Sequence, residues 1–133
     1  MIGLDTNVLV RYLAGDPETE VQVIQAVAAI DNALQHGVTV FISNVVICET
    51  VWVLLYHYHT PKKQLTEALN LIIKHPLFQF ERRGSLKQAL KLYEENTGDF
   101  ADCLIAMLNR EHGCKQTLSF DKKAIKELEF KHP

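Results

Sequence analysis

Residues 44–59 read NVVICETVWVLLYHYH, with Ser43 just ahead as a candidate N-cap. A helix that is apolar nearly all round belongs in the middle of a fold, because no side of it favours water. It is too short to cross a membrane, so other layers of the same chain must cover it. It carries a single charge between Ser43 and His59, the carboxylate of Glu49. The neighbours Val46, Trp52 and Val53 are apolar, which predicts a buried carboxylate. Such a group costs several kcal/mol unless a cation or a proton neutralises it. No basic residue on this helix can serve.

The layers that cover such a helix can be read from the rest of the chain. Met1–Leu4 is short and apolar, a strand. Thr6–Ala14 places Val8, Leu9, Tyr12 and Leu13 at helical spacing. Asp16-Pro17 reads as a cap with proline at the first helical position. Val23, Val27, Ile30 and Leu34 then mark a helix face, closed by Gly37. Residues 38–42 are a strand by their β-branched and aromatic content. Thr60-Pro61 opens a helix through Leu65, Leu69 and Ile72, and residues 77–80 form a third strand. Residues 85–95 and about 100–112 are helices. Residues 116–120 form a fourth strand, Asp121 caps a last helix through Leu128, and Phe130 starts a fifth short strand. Strands alternating with helices predict an α/β fold with a parallel sheet. The 133 residues contain no repeat, linker or low-complexity tract, so one domain over 1–133 is expected.

Composition narrows the classes. The chain is 47% apolar with both charges interspersed, an ordinary globular balance. A net charge of −2 gives no overall basic excess for nucleic acid, although a local basic patch can sit under a mildly acidic total. The cysteines, Cys48, Cys103 and Cys114, are odd in number and form no C-x-x-C, which suits reduced thiols in the cytoplasm. The start, MIGLDTNVLVRYL, has no basic n-region and is broken by Asp5, so it is not read as a signal peptide.

Five acids stand out by position. Asp5 follows the first strand and Asp121 the fourth, Asp99 and Asp102 open the helix of TGDFADCLIAML, and Glu49 is mid-helix. Taken singly, Asp5, Asp99 and Asp121 are each explained by N-capping, and Asp102 by the helix dipole. Glu49 caps nothing. In parallel sheets, functional groups gather beyond the carboxyl ends of strands. A hard divalent cation would neutralise the whole set, since Mg²⁺ and Mn²⁺ take carboxylates and water as ligands. Such clusters activate water for phosphodiester cleavage.

MIGLDTNVLVRYL, SNVVICETVWVL, GDFADCLIA and TLSFDKKA, in this order and spacing, resemble the PIN-domain ribonucleases over essentially the whole chain. The likeness is greatest to the VapC toxins of bacterial toxin–antitoxin pairs. The resemblance implies a three-layer α/β/α sandwich around a short, mainly parallel sheet of four to five strands. It implies a Mg²⁺- or Mn²⁺-dependent endoribonuclease with catalytic and metal-binding acids at Asp5, Glu49, Asp102 and Asp121. Asp99 is a secondary acid with a mixed role as cap and outer carboxylate. Thr6 and Asn7 match the family's D-T-N start, and Ser119 replaces the usual threonine while keeping the hydroxyl. The implied partners are RNA, a VapB-type antitoxin and a second copy of the chain, with no membrane.

RNA would reach the acids past a basic rim, for which Arg11, Lys62, Lys63, Arg82, Arg83, Lys122 and Lys123 are the candidates. Taken singly, each of these is better explained as ordinary solvated surface charge. His57 and His59, two apart on a helix, point in different directions and are not read as a zinc pair. They, with His36, His75 and His112, sit near helix ends. Trp52 and Cys103 are read as core. Two other readings remain in play: a PIN-fold module that binds RNA or protein without cutting, and a phosphotransfer protein using Asp5. The latter is weakened because Asp5-Thr6-Asn7 is not D-x-D.

Overall fold

In the computed structural model, which describes residues 1–133, three strands form one parallel sheet in the order β1-β2-β3: Ile2–Gly3, Val40–Ile42 and Phe78–Phe80. Ile2 stands opposite Val40, and Val40 opposite Phe78. Because all three run the same way, Asp5, Ser43 and Glu81 follow their strands at one edge of the sheet. There Glu81 Oε1 accepts a hydrogen bond from the Asn44 amide at 2.7 Å.

These strands belong to the first of two compact units, Met1–Glu81; the second is Arg82–Pro133. The first also contains α1 (Thr6–Ala14), α2 (Val21–Gln35), α3 (Asn44–Tyr56) and α4 (Lys62–Lys74). Its core is built on Leu9, Ile30, Val40, Ile47, Leu69 and Phe78, all essentially sealed from water. Fully burying one such side chain is worth roughly 1.5–3 kcal/mol. Ser43 caps α3 as expected, its Oγ accepting from the Val46 amide.

Two expectations are corrected in this unit. Asp16 does not start α2. Its Oδ1 accepts from the Glu18 amide at 2.9 Å and its carbonyl from the Thr19 and Glu20 amides, which closes a turn. The helix begins later, at Val21. Its buried face is Val23, Ala26, Ile30 and Ala33, with Val27 and Leu34 only half-buried. Small alanines let α2 lie against α1 and β2, and the larger residues flank that contact.

The second correction concerns α3. It is not buried all round. α1 and α4 cover one side, burying Val46, Ile47, Thr50, Val51 and Leu54. A stripe of Val45, Glu49, Trp52 and Tyr56 remains outside, at i, i+4, i+7 and i+11. Trp52 is 62% exposed and its ring lies against that of Tyr56, centroids 5.6 Å apart. Glu49 is exposed too, so solvent rather than an internal partner stabilises its charge.

The second unit contains α5 (Arg83–Glu95), α6 (Phe100–Glu111) and α7 (Lys122–Leu128). α5 and α6 pack together, with Tyr93 edge-on to Phe100 at 5.7 Å. Ser85 donates to Glu111 at 2.6 Å, and Arg82 pairs with the same carboxylate. The fourth and fifth strands are reduced to one parallel bridge, Leu118 with Lys131. Two backbone hydrogen bonds make it, Ser119 N to the Lys131 carbonyl and Lys131 N to that of Thr117. Leu118 and Phe120, the apolar residues expected to anchor a strand, are 55% and 76% exposed, so little burial supports a longer ladder.

The three cysteines are free, Cys103 buried, Cys48 half-buried and Cys114 exposed. No helix is long and apolar enough to cross a membrane.

Candidate active site

In the first unit, the turn from β1 into α1 places Asp5 at the N-cap with extended backbone. Its Oδ1 accepts from the Thr6 amide at 2.7 Å, and its carbonyl accepts from Val8 and Leu9. The capping role is therefore real. It occupies one carboxylate oxygen and leaves the other without a hydrogen bond.

A cavity of about 430 Å³ brings Asp5 together with Glu49 of α3. Thr6, Asn7 and Arg11 of α1 line it as well. Thr6, one of the lining residues, has its hydroxyl buried without a hydrogen-bond partner in the chain. Arg11 Nη1 donates to the Asn7 carbonyl at 2.9 Å, while its Nε lies 3.6 Å from Glu20, an ion pair too long to be a hydrogen bond. Of the three rim residues expected in this unit, Arg11 lines the cavity, whereas Lys62 and Lys63 begin α4 outside it.

His57 and Tyr58 also line this cavity, and the sequence reading assigned neither to it. The signal was available for His57. Glu49, Val53 and His57 are spaced i, i+4, i+8, which puts them on one side of the helix and its C-cap.

In the second unit, Asp99 is the N-cap of α6, but its side chain makes no capping hydrogen bond. Asp102 lies in the first turn and is half-buried. Burial, then the charges of Asp99 and Asp121, push its carboxyl above the ordinary value. The three acids are thus close enough to repel. Asp121 caps α7, Oδ1 accepting from Lys123 N at 2.8 Å and Ala124 N at 3.0 Å. Ser119 Oγ accepts from the Asp121 amide at 3.0 Å, so this hydroxyl fixes the backbone that carries the acid. Of the basic residues here, Arg82 is committed to Glu111, and Lys122 and Lys123 are exposed on the first turn of α7. Arg83, half-buried, opens α5.

None of Asp5, Glu49, Asp99, Asp102 and Asp121 is ion-paired within the chain. Within neither unit do three potential ligands stand close enough to hold a metal ion by themselves. In kind, the donors fit a hard divalent cation: unpaired carboxylate oxygens, mutual repulsion at Asp102, and an orphaned hydroxyl beside Asp5. Mg²⁺ binds through a few carboxylates and keeps several waters, so it does not demand an all-protein cage.

The PIN domain model matches residues 2–131. The chain is 32% identical to a VapC ribonuclease of Aquifex aeolicus (strain VF5), over 96% of this chain and 92% of that protein. No solved structure matches. With the parallel sheet and the acids that follow its strands and open its helices, these matches make the chain a member of the PIN-domain family.

Proposed function

We propose that this protein is a metal-dependent endoribonuclease and the toxin of a VapBC-type toxin–antitoxin pair. The observation that carries the reading is the cavity shared by Asp5 and Glu49, two family acids separated by 44 positions and brought together by α1 and α3. The VapC ribonuclease relative supplies the reaction class.

In this reading Asp5, Glu49 and Asp102 hold Mg²⁺ or Mn²⁺, and Asp121 with Asp99 holds a second ion or orients the attacking water. A bound metal ion would supply water activation and neutralise charge developing at phosphorus and on the leaving oxygen. Asp5 and Asp121 are anchored by their capping bonds, so a free carboxylate oxygen on each is held in a fixed place. Asn7 and Arg11 meet the phosphate backbone, and no side chain acts as a covalent nucleophile. The substrate is single-stranded or looped RNA, whose backbone can enter a narrow site. A small antitoxin covers the acids in the resting complex, and the enzyme works in the cytoplasm as a homodimer.

The test is cleavage of a mixed tRNA, rRNA and mRNA pool by purified protein with Mg²⁺, with Mn²⁺ or with EDTA. Asp5→Asn and Asp102→Asn, checked for folding by circular dichroism, run beside it. Cleavage that needs metal and disappears in both variants is expected. Full activity in Asp5→Asn would sink the site assignment.

A further inference from the structure

Next to the acidic cavity lies a second cleft, of about 330 Å³, between α1 and α2. Its volume is at the lower end of the ~300–1,000 Å³ typical of small-molecule sites. The α2 wall is Gln22, Gln25, Ala26 and Ala29, spaced i, i+3, i+4, i+7 and hence on one side of the helix. The α1 wall includes Asn7 and Arg11, and both of these also line the cavity of Asp5 and Glu49. The two spaces therefore adjoin across two shared side chains.

Their chemistry differs. The acidic cavity has two carboxylates. No carboxylate lines the second cleft: its charged group is the Arg11 guanidinium, whose Nε lies 3.6 Å from Glu20, and Val8, Ala26 and Ala29 line it with three carboxamides. A carboxamide offers a donor and an acceptor side by side, the pattern presented by a nucleobase edge. A guanidinium plane can stack on a base, and its charge can meet a phosphate. Exposed glutamines alone would be an ordinary helix surface. Here two of them line one cleft with the buried Ala26 and the exposed Ala29, beside the proposed cleavage site.

The geometry points to a nucleobase subsite between α1 and α2. A base next to the scissile phosphate of single-stranded RNA packs against Ala26 and Ala29, with its edge read by Gln22 and Gln25 and its phosphate at Arg11, which exchanges its Glu20 pairing for the phosphate. The assignment rests on the ribonuclease reading for its place in the reaction, but nucleotide binding can be tested separately.

Two variants address it. Ala29→Phe fills the cleft from an exposed position, and Gln25→Leu removes one carboxamide at similar size; unchanged circular dichroism and melting establish that both fold. The first readout is the NMR shift of the Gln22 and Gln25 side-chain amides on titration with each of the four ribonucleoside 5′-monophosphates. At least one nucleotide is expected to shift both amides in the wild type and neither in Ala29→Phe. The second readout is kcat/KM on oligonucleotides differing in one base beside the cut. The ratio between best and worst base is expected to fall tenfold or more in both variants. No amide shift with any of the four nucleotides, or a base preference unchanged in both variants, overturns the subsite while leaving the ribonuclease intact. Amide shifts in a protein that cuts no RNA uphold the nucleotide site and overturn the ribonuclease reading instead.

Discussion

Asp121 has two assignments that one pair of substitutions can separate. As an N-cap, it accepts two backbone amides on a single oxygen, at 2.8 and 3.0 Å. As a catalytic acid, it contributes charge beside Asp102. Asparagine caps as well as aspartate does but carries no charge. Alanine does neither. Loss of an N-cap costs about 0.5–2 kcal/mol. α7 has seven residues, of which Ala124 and Leu128 are buried, so little else supports its first turn. We therefore expect Asp121→Ala to lose about 1–2 kcal/mol, the upper part of that range. For a chain of this length each kcal/mol is worth roughly 3–5 °C in Tm. Asp121→Asn should melt within about 1 °C of the wild type or slightly above it, because the repulsion on Asp102 is relieved. Both variants should lose most RNA cleavage. Thermal melts by circular dichroism, beside cleavage at equal protein concentration, read out both effects. If Asn is as destabilising as Ala, the capping geometry is wrong. If Asn keeps full activity, the charge at 121 has no part in the reaction.

Asp102 gives a pH-dependent prediction. Its folded-state carboxyl is raised, so the folded chain holds this proton more tightly than the unfolded chain does. Stability is lost as pH rises from the ordinary aspartate value through the raised one, and the penalty is constant above that. In EDTA, Asp102→Asn should melt above the wild type at pH 7, with the difference closing toward pH 3; an equal difference at both pH values would refute the upward shift that burial and the neighbouring acids give this carboxyl. At Gly15, a Cβ would meet the Val23 side chain and the Arg11 carbonyl. Gly15→Ala should cost about 1–3 kcal/mol in urea unfolding, and a neutral result would show that the α1–α2 approach is looser than it is here. Trp52→Ala should cost under about 1 kcal/mol in the same assay, against about 3–5 kcal/mol for a core tryptophan. A loss in the core range would return Trp52 to the interior.

Much of the local structure was legible without coordinates, because it depends on neighbours in the chain. Ser43 and Asp121 cap their helices through amides two or three residues on. Gly37 and Gly113 follow their helices with positive φ, at 69° and 87°. Where two local signals competed, the reading failed: Asp16-Pro17 suits a helix start, yet the Asp16 side chain and carbonyl close a turn instead. The weak fourth and fifth strands failed for another reason, since their alternating pattern carries no record that Leu118 and Phe120 stay in water.

By itself, the sequence singled out the candidate acids Asp5, Glu49, Asp102 and Asp121, each by its place after a strand or in a helix. It also determined that helices alternate with parallel strands, through periodicity and caps. Only the tertiary structure decided which side of α3 faces out. Nearly every position there is apolar, so the helix has no polar stripe to orient it, and packing by α1 and α4 left Glu49 and Trp52 exposed. Only the tertiary structure brought Asp5 to the side of α3 that carries Glu49 and His57, and opened the amide-lined cleft next to them. Cavities form between elements distant in sequence, where side-chain volumes either fill the space or leave it open, and no local pattern encodes that outcome.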